Sequence, residues 1–146
     1  MTETYRLDEK QLPDIPVPHD CVIKRIRLED RTLEFVFEDD ISRHDAVRNR
    51  KPDAKSLVMR FHLACEPEEC EVLQWVPDGD GHYRVTGLEE LAGLTGSGLE
   101  YLYHDVGYRS VILRLFCGGK VNGPVILIAE ADAVGVDLLT GGPAGN

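Results

Sequence analysis

Three of the five histidines stand directly before an aspartate, at His19-Asp20, His44-Asp45 and His104-Asp105. Neighbouring imidazole and carboxylate groups can bind a divalent metal ion or transfer a proton during catalysis. With 26 carboxylates in the chain, however, some will be neighbours of other polar groups in any fold, and scattered histidines do not by themselves define a catalytic site. We therefore interpret His19 and His104, which each precede a predicted strand, as turn or capping residues. We predict no catalytic residue and favour a protein without enzymatic activity.

Metal and phosphate motifs are incomplete in this sequence. His62, Cys65 and Cys70 could contribute to a zinc site, but strong zinc signatures repeat a close cysteine pair and supply four ligands. The stretch Asp78–His82 begins like a calcium loop and lacks the glycine required at the sixth position. Gly118–Lys120 lacks the earlier glycine and the following hydroxyl of a phosphate-binding loop. We predict no metal site and no cofactor.

The four cysteines are expected to be free thiols. Cys21 and Cys117 lie in apolar strand patterns that are typical of a protein core. Cys65 and Cys70 flank an acidic turn, and a disulfide between them is an alternative that a reducing compartment disfavours.

Composition and charge limit the possible partners. The chain has 146 residues, which fits one domain, and a net charge of −10. Such an acidic protein repels phosphate backbones, so we predict no nucleic-acid partner. No apolar run approaches the roughly 20 residues of a membrane helix, and the N-terminus is polar where a secretory signal would be apolar. We expect a cytoplasmic protein that does not bind membranes.

Two groups of residues are candidates for binding a partner protein. Between Arg43 and Arg60 the sequence has six basic residues and two acidic ones. This stretch predicts either a solvated loop held by surrounding acids or a docking element for an acidic partner or a second copy. Aromatic side chains with a polar atom are common at interfaces, although core packing is the alternative for each of them. The candidate binding residues are Arg43, Arg48, Arg50, Lys51, Lys55, Trp75, Tyr101, Tyr103 and Tyr108.

Alternation of apolar and polar residues, the period of a half-buried strand, recurs along the chain and is clearest in Thr32–Glu38. One helix is predicted near residues 87–94, because Thr86 and Glu89 match a capping box and glycines follow. The strand Pro124–Glu130 is apolar on both faces. This composition predicts that the helix, the N-terminal segment or a partner chain covers its second face.

These patterns predict a mainly β (α+β) fold. We expect an antiparallel meander of seven to nine strands, because short turns join the strands and one helix is too few for parallel connections. The sheet could form a half-barrel or two layers. Residues 1–18 contain three prolines and are interpreted as an extended N-terminal arm. Residues 19–140 are predicted to form a single β-rich domain, and residues 141–146 a flexible tail.

The stretch His19–Leu28, followed by Leu33, Phe35 and Phe37, resembles the opening hairpin of several small bacterial β-rich families. Some of these families are uncharacterised, and some are grouped with the immunity proteins of polymorphic toxin systems. The resemblance covers about 20 of the 146 residues. It implies a small acidic protein that neutralises a basic toxin by binding to it.

The sequence therefore favours a non-enzymatic protein-binding module, in the form of an immunity-type inhibitor of a toxin. A small-ligand-binding β-barrel, or an enzyme built on one, is the first alternative and requires an internal cavity of several hundred Å³. A self-assembling accessory protein is the second alternative, in which another copy covers the strand at Ile126–Ile128. The expected partner is accordingly another protein or a second copy of this chain.

Overall fold

The computed structural model of the protein describes residues 2–38, 41, 44, 49–78 and 80–140. These residues form ten β-strands, a short α-helix and a 3-10 turn. The helix α1 spans Leu88–Ala92, and the 3-10 turn spans Pro67–Glu69. In chain order the strands are β1 (Thr2–Arg6), β2 (Cys21–Glu29), β3 (Thr32–Phe37), β4 (Ser56–Leu63), β5 (Glu71–Val76), β6 (His82–Thr86), β7 (Leu99–Gly107), β8 (Ser110–Cys117), β9 (Gly123–Ala129) and β10 (Ala131–Leu139).

The ten strands form one antiparallel sheet in the order β1-β10-β4-β3-β2-β7-β8-β9-β5-β6. β1 and β6 lie at the two edges, so the sheet is open and is not a closed barrel. The predicted mainly β, antiparallel fold is confirmed. The strand count exceeds the predicted maximum of nine by one, because Thr2–Arg6 of the predicted arm pairs with β10 along its whole length.

The sheet divides at β2. Ile23–Glu29 of this strand pair with β3, whereas Cys21 and Val22 pair with β7. We call β1, β10, β4, β3 and β2 the first half-sheet, and β7, β8, β9, β5 and β6 the second half-sheet. The chain also crosses between the halves where β9 leads into β10 through Glu130, whose carbonyl accepts a hydrogen bond of 2.9 Å from the amide of Ala64.

The inner faces of both half-sheets share one hydrophobic core. The ring of Tyr101 in β7 lies 5.7 Å from the ring of Phe37 and 6.4 Å from that of Phe35, both in β3. All three rings are fully buried and meet edge to face. The curl of the sheet around this core follows from its connections, because β9 and β10 stand six places apart in the strand order and Glu130 alone joins them.

A β-bulge in β7 determines which of its aromatic side chains point inward. The pairing with β8 slips by one residue between Tyr101 and Tyr103, and the extra residue reverses the alternation. Tyr101 and His104 therefore both face the core, whereas Tyr103 is 52% exposed. The Tyr101 hydroxyl donates to Nδ1 of His104 (2.6 Å), and Nε2 of His104 donates to the carbonyl of Ile15 (3.1 Å). His104, predicted as a turn or capping residue, is instead buried within a strand.

The segment after β1 connects the two half-sheets. The amide of Leu7 donates to the carbonyl of Asp132 in β10, and its carbonyl accepts from the amide of Arg109 in the β7–β8 turn, both at 2.8 Å. Leu7 is fully buried and Ile15 is 3% exposed, so the segment contributes to the core. The predicted tail, residues 141–146, lies outside the described residues.

Helix α1 begins one residue later than the predicted capping box. Gly87 is the N-cap, and its amide donates to the carboxylate of Glu90 (3.0 Å). Thr86 belongs to β6, and its hydroxyl donates to the carbonyl of Val72 (3.4 Å). Leu88 is buried with the rest of the helix's inner face, so α1 covers the core side of the sheet.

The sequence predicts that β9 is covered on both faces. In the structure only its inner face is buried. Val125, Leu127 and Ala129 belong to the core. Ile126 is half-buried and Ile128 is 36% exposed. The helix and the N-terminal segment both pack on the core side, which leaves the outer side of β9 open.

Tyr101→Phe removes the hydroxyl that donates to His104 and leaves a buried ring nitrogen without its hydrogen bond. We expect the free energy of unfolding, measured by urea denaturation, to fall by about 1–3 kcal/mol. Tyr108→Phe is the matched control because Tyr108 is 65% exposed, and its effect should stay within about 0.5 kcal/mol. Equal losses in the two variants would contradict a structural role for the Tyr101–His104 bond.

Burial lowers the pKa of His104, although the carbonyl of Ile15 and the carboxylates of Asp105 and Asp14 act in the opposite direction. The unfolded chain, with a histidine pKa near 6.5, therefore binds more protons than the folded chain just below that pH. We expect the free energy of unfolding to decrease as the pH falls from about 6.5 toward the folded-state pKa. His104→Gln should flatten this dependence in urea denaturation, and the exposed His62→Gln should not. Identical pH profiles for the two variants would refute the assignment.

Candidate functional site

The outer faces of the two half-sheets differ in chemistry. On the first half-sheet, Glu34 accepts hydrogen bonds from Nε of Arg27 and from Nε of Arg60, both at 2.9 Å. Arg60 also lies 3.6 Å from Asp137, to which the hydroxyl of Thr2 donates (2.8 Å). Burial acts to raise the pKa of the Glu34 carboxyl, but the two guanidinium groups outweigh it and hold that pKa below its usual value. This outer face carries a ladder of paired charges, and Val36 and Val58 lie buried beside it.

The outer face of the second half-sheet carries many apolar side chains around one ion pair, in which Nε of Arg114 donates to the carboxylate of Asp105 (2.9 Å). Directly opposed residues of antiparallel strands share a face, so Leu73 lies beside both Ile126 and Val85, and Ile112 lies beside Ile128. Val85 is 70% exposed, and the side chains of the inner strands are half-buried. We call this surface the apolar face; it comprises Leu73, Trp75, Tyr83, Val85, Ile112, Phe116, Pro124, Ile126 and Ile128.

Trp75 stands at one end of the apolar face, where it also packs against the hydrophobic core. It pairs with Tyr83 across β5 and β6, and the two ring centroids are 5.4 Å apart in an edge-to-face arrangement. A Cβ atom on Gly123 would overlap the indole ring. The glycine therefore allows the ring to lie directly against the backbone of β9.

A groove of about 480 Å³ adjoins the apolar face, and Ile128 belongs to both. Three carboxylates line this groove, those of Glu69, Glu71 and Glu130. Arg109 also lines it, and its Nε donates to the carboxylate of Asp132 (2.9 Å). Because the one arginine among the lining residues is neutralised by an aspartate, we call this concavity the acidic groove.

The structure separates the four aromatic residues predicted to bind a partner. Trp75 lies on the apolar face, and Tyr108 lines the acidic groove. Tyr103 points outward beside Arg114, next to the apolar face. Tyr101 is fully buried and contributes no surface, because the β7 bulge turns it inward.

The described part of the predicted basic stretch is held by the protein's own acids. Arg50 bonds to the carboxylate of Glu3 (3.0 Å) and lies 5.9 Å from the ring centre of Tyr5, both in β1 of the first half-sheet. Lys51 lies 3.1 Å from Asp53, and Lys55 is exposed. Arg43 and Arg48 lie outside the described residues.

The sequence patterns did not predict most of the residues of the apolar face. Tyr83 and Val85 alternate with polar residues in a strand of only five residues. Leu73, Ile112 and Phe116 each adjoin a core residue of their own strand. The available signal was that β5, β8 and β9 all carry apolar residues at successive positions. This signal identifies a shared face once the strands are known to be neighbours.

Within residues 2–140, leaving aside the undescribed positions, no cluster of three or more His, Cys, Asp or Glu side chains is arranged to hold a metal ion. In the same part of the chain no helix has the length and apolar character needed to cross a membrane. Comparison with protein-family models, curated proteins and solved structures finds no match to this chain. The apolar face and the acidic groove therefore form the candidate site.

A methyl group at position 123 collides with the indole of Trp75. We expect Gly123→Ala to lower the free energy of unfolding by about 1–3 kcal/mol and to shift the fluorescence emission of Trp75, the single tryptophan. Gly118→Ala is the matched control, because its added Cβ lies 3.9 Å from Phe116, an ordinary contact. Unchanged emission and stability in Gly123→Ala would show that the indole does not lie against β9.

Proposed function

We propose that this protein is a non-enzymatic protein-binding module that binds a basic partner protein through the apolar face and the acidic groove. The observation that carries the proposal is the group of exposed apolar side chains on the outer face of the second half-sheet, which surrounds a single Arg114–Asp105 ion pair. Contiguous exposed apolar side chains with a polar border commonly mark an interaction surface.

The composition of the apolar face supports this function. Trp75 and Tyr83 are large, packed against each other and held on paired strands. Aromatic side chains of this kind supply much of the binding free energy at protein interfaces. Their positions on β5 and β6 are fixed before binding, so little conformational entropy is lost when a partner covers them.

The charge distribution supports a basic partner. The acidic groove adjoins the apolar face at Ile128, and the whole chain has a net charge of −10. Opposite charges accelerate the encounter of two proteins and select the correct partner. A second copy of the chain carries the same negative charge, and that repulsion disfavours self-association.

An immunity-type inhibitor is the form of this function that we favour. The hairpin His19–Leu28 with Leu33, Phe35 and Phe37 resembles families that include immunity proteins. Such proteins neutralise basic toxins by covering them, and the acidic groove beside an apolar face suits that role.

The test places a photo-cross-linking amino acid at position 85 of the full chain, expressed in its source cells. Position 28 is the matched control, because Leu28 is 44% exposed on the first half-sheet. We expect position 85, and not position 28, to yield a recurring adduct with one basic protein. With that protein purified, Val85→Lys should weaken binding by about tenfold or more, and Leu28→Lys should leave affinity unchanged.

Each other outcome contradicts the proposal. An adduct between two copies of this chain at position 85 would favour the self-assembling alternative. Cross-linking to an acidic protein would contradict the proposal that charge selects a basic partner. Equal yields at both positions would show that the apolar face is not a binding surface.

A further inference from the structure

Two thiols are held face to face beside the acidic groove. Cys65 follows β4 and Cys70 precedes β5, and their Sγ atoms are 3.9 Å apart. The 3-10 turn between them is fixed by the Glu66 amide, which donates to the Glu69 carboxylate (3.0 Å), and by the Cys70 amide, which donates to the carbonyl of Pro67 (3.2 Å). The backbone therefore keeps the two sulfurs close.

The two thiols differ in their access to solvent. Cys65 lines the acidic groove and is 8% exposed, whereas Cys70 is 4% exposed behind it. Cys21 and Cys117 are fully buried in β2 and β8. A small reagent in the groove therefore meets Cys65 first.

We propose that Cys65 and Cys70 form a reversible dithiol–disulfide site that is oxidised by a low-molecular-weight disulfide entering the acidic groove. This site does not depend on the proposed partner binding. The required movement is small, because bond formation brings the sulfurs from 3.9 Å to about 2.05 Å.

The reaction is a double exchange with the incoming disulfide. Cys65 loses its proton to solvent and attacks one sulfur of the reagent, which forms a mixed disulfide and releases one small thiol. Cys70 then loses its proton and attacks Sγ of Cys65, which forms the protein disulfide and releases the second small thiol. The protein dithiol is oxidised by two electrons, and the reagent is reduced to two thiols.

The second step should be slow and strongly dependent on pH. Burial raises the pKa of the Cys70 thiol, and this effect remains when Cys65 is in the mixed disulfide. Below that pKa the thiolate fraction rises about tenfold for each pH unit, and the exchange rate follows it. The mixed disulfide on Cys65 should therefore accumulate near neutral pH and resolve faster as the pH rises.

The experiment incubates the native full chain with oxidised glutathione, then unfolds it in urea while the remaining thiols are alkylated, and digests it with trypsin. Cleavage after Arg60 and Arg84 places Cys65 and Cys70 in one peptide, while Cys21 and Cys117 fall in two others. We expect an oxidised form of this peptide that is lighter by two hydrogens and carries no alkyl group. It should appear about tenfold faster for each unit by which the pH is raised. Cys21 and Cys117 should be alkylated throughout.

Two variants test the order of the steps. Cys70→Ser should retain glutathione on Cys65, because no second thiol can displace it, and Cys65→Ser should acquire little glutathione on Cys70. The wild-type peptide map decides the proposal even if a variant fails to fold. The proposal is overturned if both thiols of that peptide stay alkylated, if glutathione remains on Cys65 at high pH, or if Cys21 and Cys117 oxidise equally fast. None of these results bears on the cross-linking at position 85.

Discussion

The contact of Tyr101 with Phe35 and Phe37 is the constraint on which the rest of the sheet depends. In a flat sheet β3 and β7 would stand two strand spacings apart, about 9–10 Å. The aromatic side chains bridge this spacing on the core side, with ring centroids at 5.7 and 6.4 Å, where the sheet curves between its two halves. This curvature joins the inner faces of both half-sheets in one core, and the β7 bulge supports it by turning Tyr101 and His104 inward together.

A curled sheet has a long outer surface, and the two halves expose it in different ways. Glu34 with its two arginines stays hydrated and paired on the first half-sheet. On the second half-sheet Leu73 and Ile126 remain partly open to water. Each Å² of apolar surface removed from water contributes about 25 cal/mol. Covering the apolar face therefore gains free energy that folding alone has not gained, whereas covering the charged ladder would first require its desolvation.

Sequence patterns predict the strands well, because alternation reports directly on a sheet with one buried face. They fail where a single extra residue changes the alternation. Nothing in the composition of β7 marks its bulge, so the sequence does not distinguish the buried Tyr101 from the exposed Tyr103 as a candidate for binding. They also fail for β1, because its pairing depends on a strand at the other end of the chain. The bond between Arg50 and Glu3, 47 residues apart, is invisible to local patterns for the same reason. Recognising the apolar face requires the strand order, which no local sequence pattern provides.

The pairing of β1 with β10 also has a consequence for the path of folding. Thr2 bonds to Asp137, which lies 135 residues further along the chain. Contacts of such large sequence separation must overcome loop-closure entropy before they stabilise anything, and they form slowly. β7, β8 and β9 are consecutive hairpins whose pairing is local. We expect β7, β8 and β9 to assemble early and the outermost strand pair of the first half-sheet to close last, so Ile112, Ile126 and Ile128 of the apolar face come together before β1 completes the opposite edge.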